Sequence, residues 1–300
     1  MNNDTIIWSM VYKPAQLKLE EYAKHGLGLL LEIPEPPKQL WYNGVLPGND
    51  LTLLAVVGSR KYTSYGKQAV DYLIKGLAGY PIGIVSGLAL GIDALAHESA
   101  LTHGLYTLAV PGSGLDDSVL YPASHKNLAD KIIKAGGGFV SELSPTTPAA
   151  PWTFPRRNRI IAGLCRATLL IEAGEKSGTL ITARLTVDYN RELLAVPGSI
   201  FSSNCAGTHQ FIKLGATLVT SGADILDALN IKNEIKTKTL PLLNLTTEEN
   251  KVINLLSEPL DRDTLLRALT LPVSEANILL MQMEMTNLIT YESPHYRKLI

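Results

Sequence analysis

Short apolar runs alternate with segments of helical periodicity through the middle of the chain. The predicted strands are residues 53–57, 82–85, 107–110, 139–141, 167–171, 193–196 and 216–219. The first predicted helix follows the first strand and ends near residue 78. The other predicted helices are residues 92–101, 128–135, 160–164, 180–190, 210–214 and 224–229. Uninterrupted apolar strands separated by helices are typical of parallel βαβ units whose sheet is covered on both faces. The pattern therefore predicts a doubly wound α/β domain over residues 51–230.

The first 50 residues have a different character. Several glycines and the prolines Pro34, Pro36, Pro37 and Pro47 interrupt this region. One apolar stretch, at 27–33, is compatible with a strand. We therefore expect residues 1–50 to form an irregular N-terminal extension with a single strand.

The C-terminal quarter predicts a linker and a small second domain. Residues 231–244 lack apolar periodicity, whereas Thr246 and Glu249 have the spacing of a capping box and start the domain 245–300. Three helices followed by a hairpin, at 288–291 and 296–299, predict a winged-helix-like fold. The third helix, expected to be capped by Ser274, contains no Lys or Arg, although a helix that reads the major groove needs such donors. We interpret the unit as an auxiliary or protein-contact module.

Composition limits how the chain could bind a polyanion. The formal net charge is −1 and 46% of the residues are hydrophobic, so any binding surface must gather positive charge locally. Residues 151–191 contain seven Lys or Arg against three Asp or Glu. This excess indicates a local basic surface, and the alternative is a chance fluctuation in a solvated face.

The remaining composition predicts no cofactor, no metal site and no membrane segment. Cys165 and Cys205 lack metal-ligand spacing, and the apolar surroundings of Cys165 favour a buried thiol. No His, Cys and Asp cluster suggests zinc. No leader is recognisable and no apolar run approaches the length of a membrane span, so a soluble, cytoplasmic protein is expected.

The segment Phe154-Pro-Arg-Arg-Asn-Arg159 and the following Ser177-Gly-Thr-Leu-Ile-Thr-Ala183 carry the strongest functional signal. Arginine binds phosphate with two parallel donors, and free N–H groups at a helix start attract anions. Trp152 and Phe154 offer aromatic faces on which an unpaired base can stack. These features predict a ligand with both phosphates and exposed bases.

The first predicted strand runs into Gly58-Ser-Arg-Lys61. Gly58 permits a tight turn, and the guanidinium of Arg60 after it could bind a phosphate. The sequence has neither a dinucleotide fingerprint nor a P-loop. The second strand ends at Ser86-Gly87, without the acidic residue that binds the ribose of a nicotinamide cofactor, which argues against a dehydrogenase.

Two Pro-Gly turns and several ionisable residues could also serve the crevice. The segments 109–113 and 195–199 have the same sequence, Ala-Val-Pro-Gly-Ser, and could approach one ligand or be ordinary turns. Asp93 and His97 could form a catalytic pair, but helix capping by Asp93 and packing of His97 is favoured because no nucleophile is evident. Glu142 and Glu172 are expected to hold arginines in place.

These motifs, in their order, resemble the DNA-processing protein A (DprA/Smf) family of bacteria over about residues 40–230. The resemblance implies an extended Rossmann-like domain that is no enzyme. It would bind single-stranded DNA, protect incoming strands in natural transformation, load the RecA recombinase and form homodimers through its late part. The implied DNA-binding residues are Gly58, Ser59, Arg60, Lys61, Ser86, Gly87, Gly112, Phe154, Arg156, Arg157, Asn158, Arg159, Lys176, Ser177, Gly178 and Thr179.

Two alternatives stay open. One is an enzyme acting on a small nucleotide, such as a phosphoribohydrolase on a related fold, although its usual Pro-Gly-Gly-x-Gly-Thr is replaced here by Glu-Lys-Ser-Gly-Thr. The other is an adaptor with a vestigial pocket, which the intact arginines disfavour.

Overall fold

The computed structural model describes residues 13–232, 245–286, 288–292 and 294–298. The chain divides into two compact units, Met1–Ile235 and Lys236–Ile300. Most of the predicted linker, 231–244, lies outside the described residues. Within the described ranges no single helix is long and apolar enough to cross a membrane; only the pair Arg262–Leu269 and Val273–Met285, bent by 115°, passes that test together.

A nine-stranded, mostly parallel sheet organises the first unit. Its strands are β1 (Ala15–Lys18), β2 (Gln39–Gly44), β3 (Thr52–Val57), β4 (Ile82–Ser86), β5 (Tyr106–Ala109), β6 (Gly138–Ser141), β7 (Ala167–Leu170), β8 (Glu192–Ala195) and β9 (Thr217–Leu218). They lie in the order β1-β2-β6-β5-β4-β3-β7-β8-β9. The neighbours from β6 to β9 are parallel, and β1 and β2 are antiparallel to their neighbours. This confirms the predicted α/β class.

Helices cover both faces of this sheet. They are α1 (Ser64–Lys75), α2 (Ile92–Thr102), α3 (Lys126–Lys134), α4 (Thr153–Leu164), α5 (Thr179–Asp188), α6 (Ala206–Lys213) and α7 (Gly222–Ala228). Alternate residues of β3 enter opposite cores: Leu54 and Val56 pack with α1, α2 and α7, whereas Leu53 packs with α4, α5 and α6. A strand buried on both faces explains why its sequence is continuously apolar.

The N-terminal region differs from the prediction. The segment 27–33 is not a strand, because Gly28–Glu32 forms a 3₁₀ helix, as does Leu19–His25. Residues 15–44 are not irregular either, since β1 and β2 extend the sheet beyond β6. Tyr22, Leu27 and Leu30 are fully buried in the core next to α4. The region is thus part of the α/β unit and covers one side of it.

The second unit has its own core and a three-stranded antiparallel sheet. Its elements are α8 (Thr247–Leu255), β10 (Leu260–Asp261), α9 (Arg262–Leu269), α10 (Val273–Met285), β11 (Ile289–Glu292) and β12 (His295–Lys298). The capping box is confirmed: Thr246 N donates to the Glu249 carboxylate at 2.7 Å, and Glu249 N donates to Thr246 Oγ1 at 3.2 Å. Ser274 does not cap α10, which begins one residue earlier, after Pro272.

Candidate nucleic-acid interface

A cleft of about 650 Å³ lies beyond the carboxyl ends of β3 and β7. The chain proceeds from β3 to β4, β5 and β6 on one side and then returns to β7 on the other. The strand order therefore reverses between β3 and β7. Loops that leave such a reversal point in opposite directions open a crevice, which is where α/β sheets bind ligands.

The loop after β3 forms one wall, and backbone contacts fix its shape. Ser59 N donates to the carbonyl of Glu172 at 2.7 Å, and Ile92 N donates to the carbonyl of Ser59 at 3.1 Å. A Cβ at Gly58 would lie 2.7 Å from the Ile92 side chain, so only glycine fits there. The loop consequently holds the exposed side chains of Arg60 and Lys61 at the mouth of the cleft.

Helix α4 forms the opposite wall. The helix predicted from residue 160 begins at Thr153, so the whole arginine-rich segment is helical. Residues three and four positions apart share a helix face, and this brings Phe154, Arg157 and Asn158 together on the cleft. The guanidinium of Arg60 lies 5.3 Å from the centroid of the Phe154 ring. Tyr121 meets the same ring edge-on at 5.6 Å.

Arg156 and Arg159 do not line this cleft. The guanidinium of Arg156 is 2.9 Å from the Glu142 carboxylate, and that of Arg159 is 2.5 Å from it. Together with Lys38 they line a separate depression of about 540 Å³. The expectation that Glu142 holds arginines is confirmed. Trp152 is 56% exposed and does not line the cleft either.

Arg157 forms part of the floor and is buried. Its Nη1 donates to the carbonyl of Gly87 at 2.7 Å and also to the carbonyl of Val110. Burial lowers the pKa of Arg157 to about 10, and the nearby Asp93 opposes that change. Because these carbonyls follow β4 and β5, Arg157 ties two strand-end turns to α4.

Asp93 and His97 do not form a pair. Asp93 accepts a hydrogen bond from Gly87 N at 3.1 Å, and burial raises its pKa. It therefore braces a turn and does not cap its own helix, whose N-cap is Gly91. His97 is buried, with Nδ1 2.7 Å from Thr107 Oγ1, and burial lowers its pKa to about 3. The favoured interpretation, a packed histidine, is confirmed.

The loop after β7 and the start of α5 close the site. Thr179 Oγ1 donates to the carbonyl of Gly58 at 3.0 Å, which joins the two loops across the reversal point. Ser177 Oγ accepts from Thr179 N at 3.2 Å, so this hydroxyl takes up the first backbone N–H of α5, whose N-cap residue is Gly178. Lys176 and Gly178 are exposed at the rim.

Glu172 has a different role from the one expected. Its buried carboxylate accepts hydrogen bonds from Thr63 N at 2.9 Å and Thr63 Oγ1 at 2.6 Å, and no arginine is bonded to it. The expectation that Glu172 holds an arginine is therefore wrong. The residue fixes the start of α1 behind the cleft instead.

Three of the predicted site residues lie behind the cleft. Ser86 is fully buried and donates to the carbonyl of Val56 at 2.6 Å. Gly87 bonds to Asp93 and Arg157, and Gly112 backs the Phe154 ring. Neither Pro-Gly turn contributes a lining residue, so the two turns do not approach one ligand in this cleft.

Sequence reasoning missed Asn204, which also lines the cleft. Its Nδ2 donates to the carbonyl of Lys61 at 2.8 Å and so links the loop after β8 to the loop after β3. A lone asparagine far along the chain carries no local signal of such a role. Among the described residues, no group of three or more His, Cys, Asp or Glu is placed to hold a metal ion.

The fold and the cleft define a Rossmann-like α/β protein with a basic ligand site at the reversal point of its sheet. Residues 16–230 match the family model described as DNA recombination-mediator protein A. The chain belongs to this family, which is named for recombination mediation and not for a catalysed reaction.

The curated relatives are bacterial. The chain is 44% identical to the DNA processing protein DprA of Streptococcus pneumoniae over 199 residues, 66% of this chain and 68% of that protein. It is 40% identical to Protein Smf of Escherichia coli over 200 residues, 67% of this chain and 53% of that protein. The matched part is thus about two thirds of the first relative and about half of the second.

Two solved structures share the fold at appreciable identity. The X-ray structure of DNA processing protein A from Streptococcus pneumoniae gives a TM-score of 0.67 at 38% identity, covering 75% of this chain and 78% of that one. DNA processing protein A from Helicobacter pylori gives 0.62 at 27% identity, covering 73% and 96%. The Helicobacter structure is described by its single-stranded DNA binding mode.

Proposed function

We propose that this protein binds single-stranded DNA in the cleft between β3 and β7. The observation that carries the proposal is the Arg60–Phe154 stack, flanked by the exposed Lys61 and Lys176. An arginine beside an aromatic ring offers phosphate and base contacts at one point. Bases inside a duplex have no free face for such a ring, so the geometry favours an unpaired strand. The binding mode described for the Helicobacter relative supports the same ligand.

The predicted site residues take different parts in this proposal. Those on the walls contact the strand directly: Gly58, Ser59, Arg60, Lys61, Phe154, Asn158, Lys176, Ser177, Gly178 and Thr179. Ser86, Gly87, Gly112 and the buried Arg157 shape the cleft from behind. Arg156 and Arg159 lie on another side of α4, where both are paired with Glu142. Arg156, 53% exposed, receives a phosphate outside the cleft, and the largely buried Arg159 supports it by holding Glu142 in place.

The proposal extends to partners by family membership. A recombination mediator would protect incoming strands during natural transformation, deliver them to the RecA recombinase and work in the cytoplasm where that recombinase acts. A homodimer would form through the late part of the α/β unit, where Leu214 and Leu218 are exposed. The second unit, with three helices and a small antiparallel sheet, would be an auxiliary winged-helix-like module.

The test is fluorescence anisotropy with single-stranded and duplex oligonucleotides over a salt series. About four to six phosphate contacts give a log–log salt slope of about −3 to −4 on single strands. Arg60→Ala and Arg156→Ala should both weaken binding. Arg166→Ala is the matched control, because this exposed arginine precedes β7 at the end of the sheet away from the cleft.

Two results would reject the proposal. One is equal affinity for duplex and single strands, and the other is binding that neither Arg60→Ala nor Arg156→Ala changes relative to Arg166→Ala. Either result would direct the work to nucleotide-hydrolysis assays.

A further inference from the structure

The turn after β8 displays two large apolar side chains beside the cleft. Phe201 is 93% exposed and Ile200 is 81% exposed, at the centre of a turn closed by a 3.0 Å hydrogen bond from Ser202 N to the carbonyl of Ser199. We propose that this turn, Ser199–Ser202, is a second stacking platform for bases of the strand that leaves the cleft. The inference rests on the proposed function of the cleft.

Side chains of two neighbouring helices hold the backbone that leads into the turn. Tyr65 Oη donates to the carbonyl of Pro197 at 2.6 Å, and His209 Nε2 is 3.1 Å from the carbonyl of Gly198. Phe201 N donates to Ser199 Oγ at 3.3 Å. Neither apolar side chain of the turn is folded back into the core. Because the backbone of the turn is already fixed, stacking of a base on Phe201 requires no ordering of the chain, and only the side chain loses freedom.

The turn continues directly into the cleft wall. Asn204, three residues after Phe201, lines the cleft and bonds to the carbonyl of Lys61. Three residues span at most about 10 Å, so the base of the Phe201 side chain lies within that distance of the wall. Ala173 N also donates to the carbonyl of Asn204 at 2.7 Å. The turn therefore adjoins the part of the cleft wall at which Asn204 contacts Lys61.

The chemistry around the turn fits a nucleic acid. The segment 197–210 itself contains no Asp or Glu, so the turn brings no carboxylate of its own towards a phosphate. Lys61 and Lys176 are exposed on the adjoining rim. Every base has a π-face, so an aromatic platform beside a basic groove accepts any sequence.

The experiment compares a short oligothymidine of about six nucleotides, which the cleft alone holds, with one of about twenty nucleotides. Phe201→Ala should weaken binding of the long strand by about tenfold and leave the short strand unchanged, since one stacked base contributes a measurable share of affinity. Phe201→Trp should keep long-strand affinity, and its fluorescence should be quenched by the long strand only. Tyr72→Ala is the control, because Tyr72 is another exposed aromatic, on α1.

The outcomes separate this inference from the proposed function. Failure of the short strand to bind, or indifference of both lengths to Arg60→Ala, overturns the proposed function and the platform with it. Normal short-strand binding with no effect of Phe201→Ala on the long strand overturns the platform alone. Equal weakening at both lengths also overturns it, as does a Phe201→Ala effect confined to self-association measured by sedimentation.

Discussion

The guanidinium of Arg60 lies 5.3 Å above the centre of the Phe154 ring, and the two residues come from opposite walls of the cleft. Arginine differs here from lysine because its planar fork both stacks on a ring and binds phosphate with two donors. Arg60→Lys keeps the charge and loses the plane. We expect it to weaken single-strand binding by about 1 kcal/mol with an unchanged salt slope.

Arg60→Ala removes the charge as well. It should weaken binding further and reduce the magnitude of the log–log salt slope by about 0.7, the value for one phosphate contact on a single strand. Anisotropy titrations over a salt series measure both quantities. Wild-type affinity in Arg60→Lys would mean that only the charge of Arg60 matters.

Gly112 sets the position of the Phe154 ring. A Cβ at this glycine would lie 2.5 Å from the ring, whereas a Cβ at Gly178 would meet nothing within 4 Å. Gly112→Ala should displace the ring and lower single-strand affinity by about 1 kcal/mol, in the range that base stacking contributes. Gly178→Ala, whose Cβ displaces no neighbouring side chain, should lower the affinity less, although Gly178 lies on the rim of the same cleft. Equal affinities of the two variants would show that the ring position has no influence.

Arg157 should matter more for stability than its place in the arginine segment suggests. It is buried and donates to the carbonyls of Gly87 and Val110. Arg157→Leu leaves both carbonyls without this donor and Asp93 without a nearby cation, so the free energy of unfolding should fall by about 3 kcal/mol. Urea denaturation measures this change.

Arg166→Ala supplies the comparison, with an expected change within about 0.5 kcal/mol, as for other exposed positions. The double variant Asp93→Asn/Arg157→Leu should lose less free energy of unfolding than the sum of the two single variants. The reason is that Asp93→Asn removes the buried carboxylate that Arg157→Leu leaves without a nearby cation. Strict additivity would argue against an interaction between the two side chains.

His97 should make the protein sensitive to acid. Its pKa is about 3 when folded, against an ordinary value of 6.5, because burial and the nearby His125 and Arg157 disfavour the imidazolium. Between these values the unfolded chain binds more protons, so this contribution is full above pH 6.5 and is lost as the pH falls towards the folded pKa. His97→Gln should flatten the dependence of the free energy of unfolding on pH.

Urea denaturation at several pH values between about 4 and 7 tests this expectation. The raised pKa of Asp93 acts in the opposite direction but is present in both proteins, so it cancels in the comparison. His103→Gln is the control, since His103 lies near the surface beside Asp71. An unchanged pH dependence in His97→Gln would contradict the prediction.

The sheet could be predicted because its central strands are buried on both faces. The runs that form β3, β4 and β7 are mostly apolar and buried, and strands between helices have few alternatives to a parallel arrangement. The N-terminal strands could not, because most of their residues are exposed or half-buried, both strands are antiparallel to their neighbours, and β2 takes its register from β6, about 100 residues away. Local sequence does not contain that partner.

The residue types of the site could also be predicted, but the directions in which their side chains point could not. The arginine segment was expected to act as one cluster, yet its helical start at Thr153 sends Phe154 and Arg157 to the cleft and Arg156 to Glu142. An error in where a helix begins changes every assignment of its faces. Asn204 shows the other limit, since a contact across about 140 residues leaves no mark in the local sequence.

The reversal of strand order between β3 and β7 also has a consequence for the newly made chain. On the ribosome, β3 can pair with β4 early, but its other edge waits for β7, which is encoded about 110 residues later. At ordinary rates of translation this edge is uncovered for on the order of ten seconds. An apolar strand with one free edge is a template for mispairing with other chains. The geometry that opens a ligand crevice in the finished protein therefore makes β3 a point at which nascent chains are prone to aggregate.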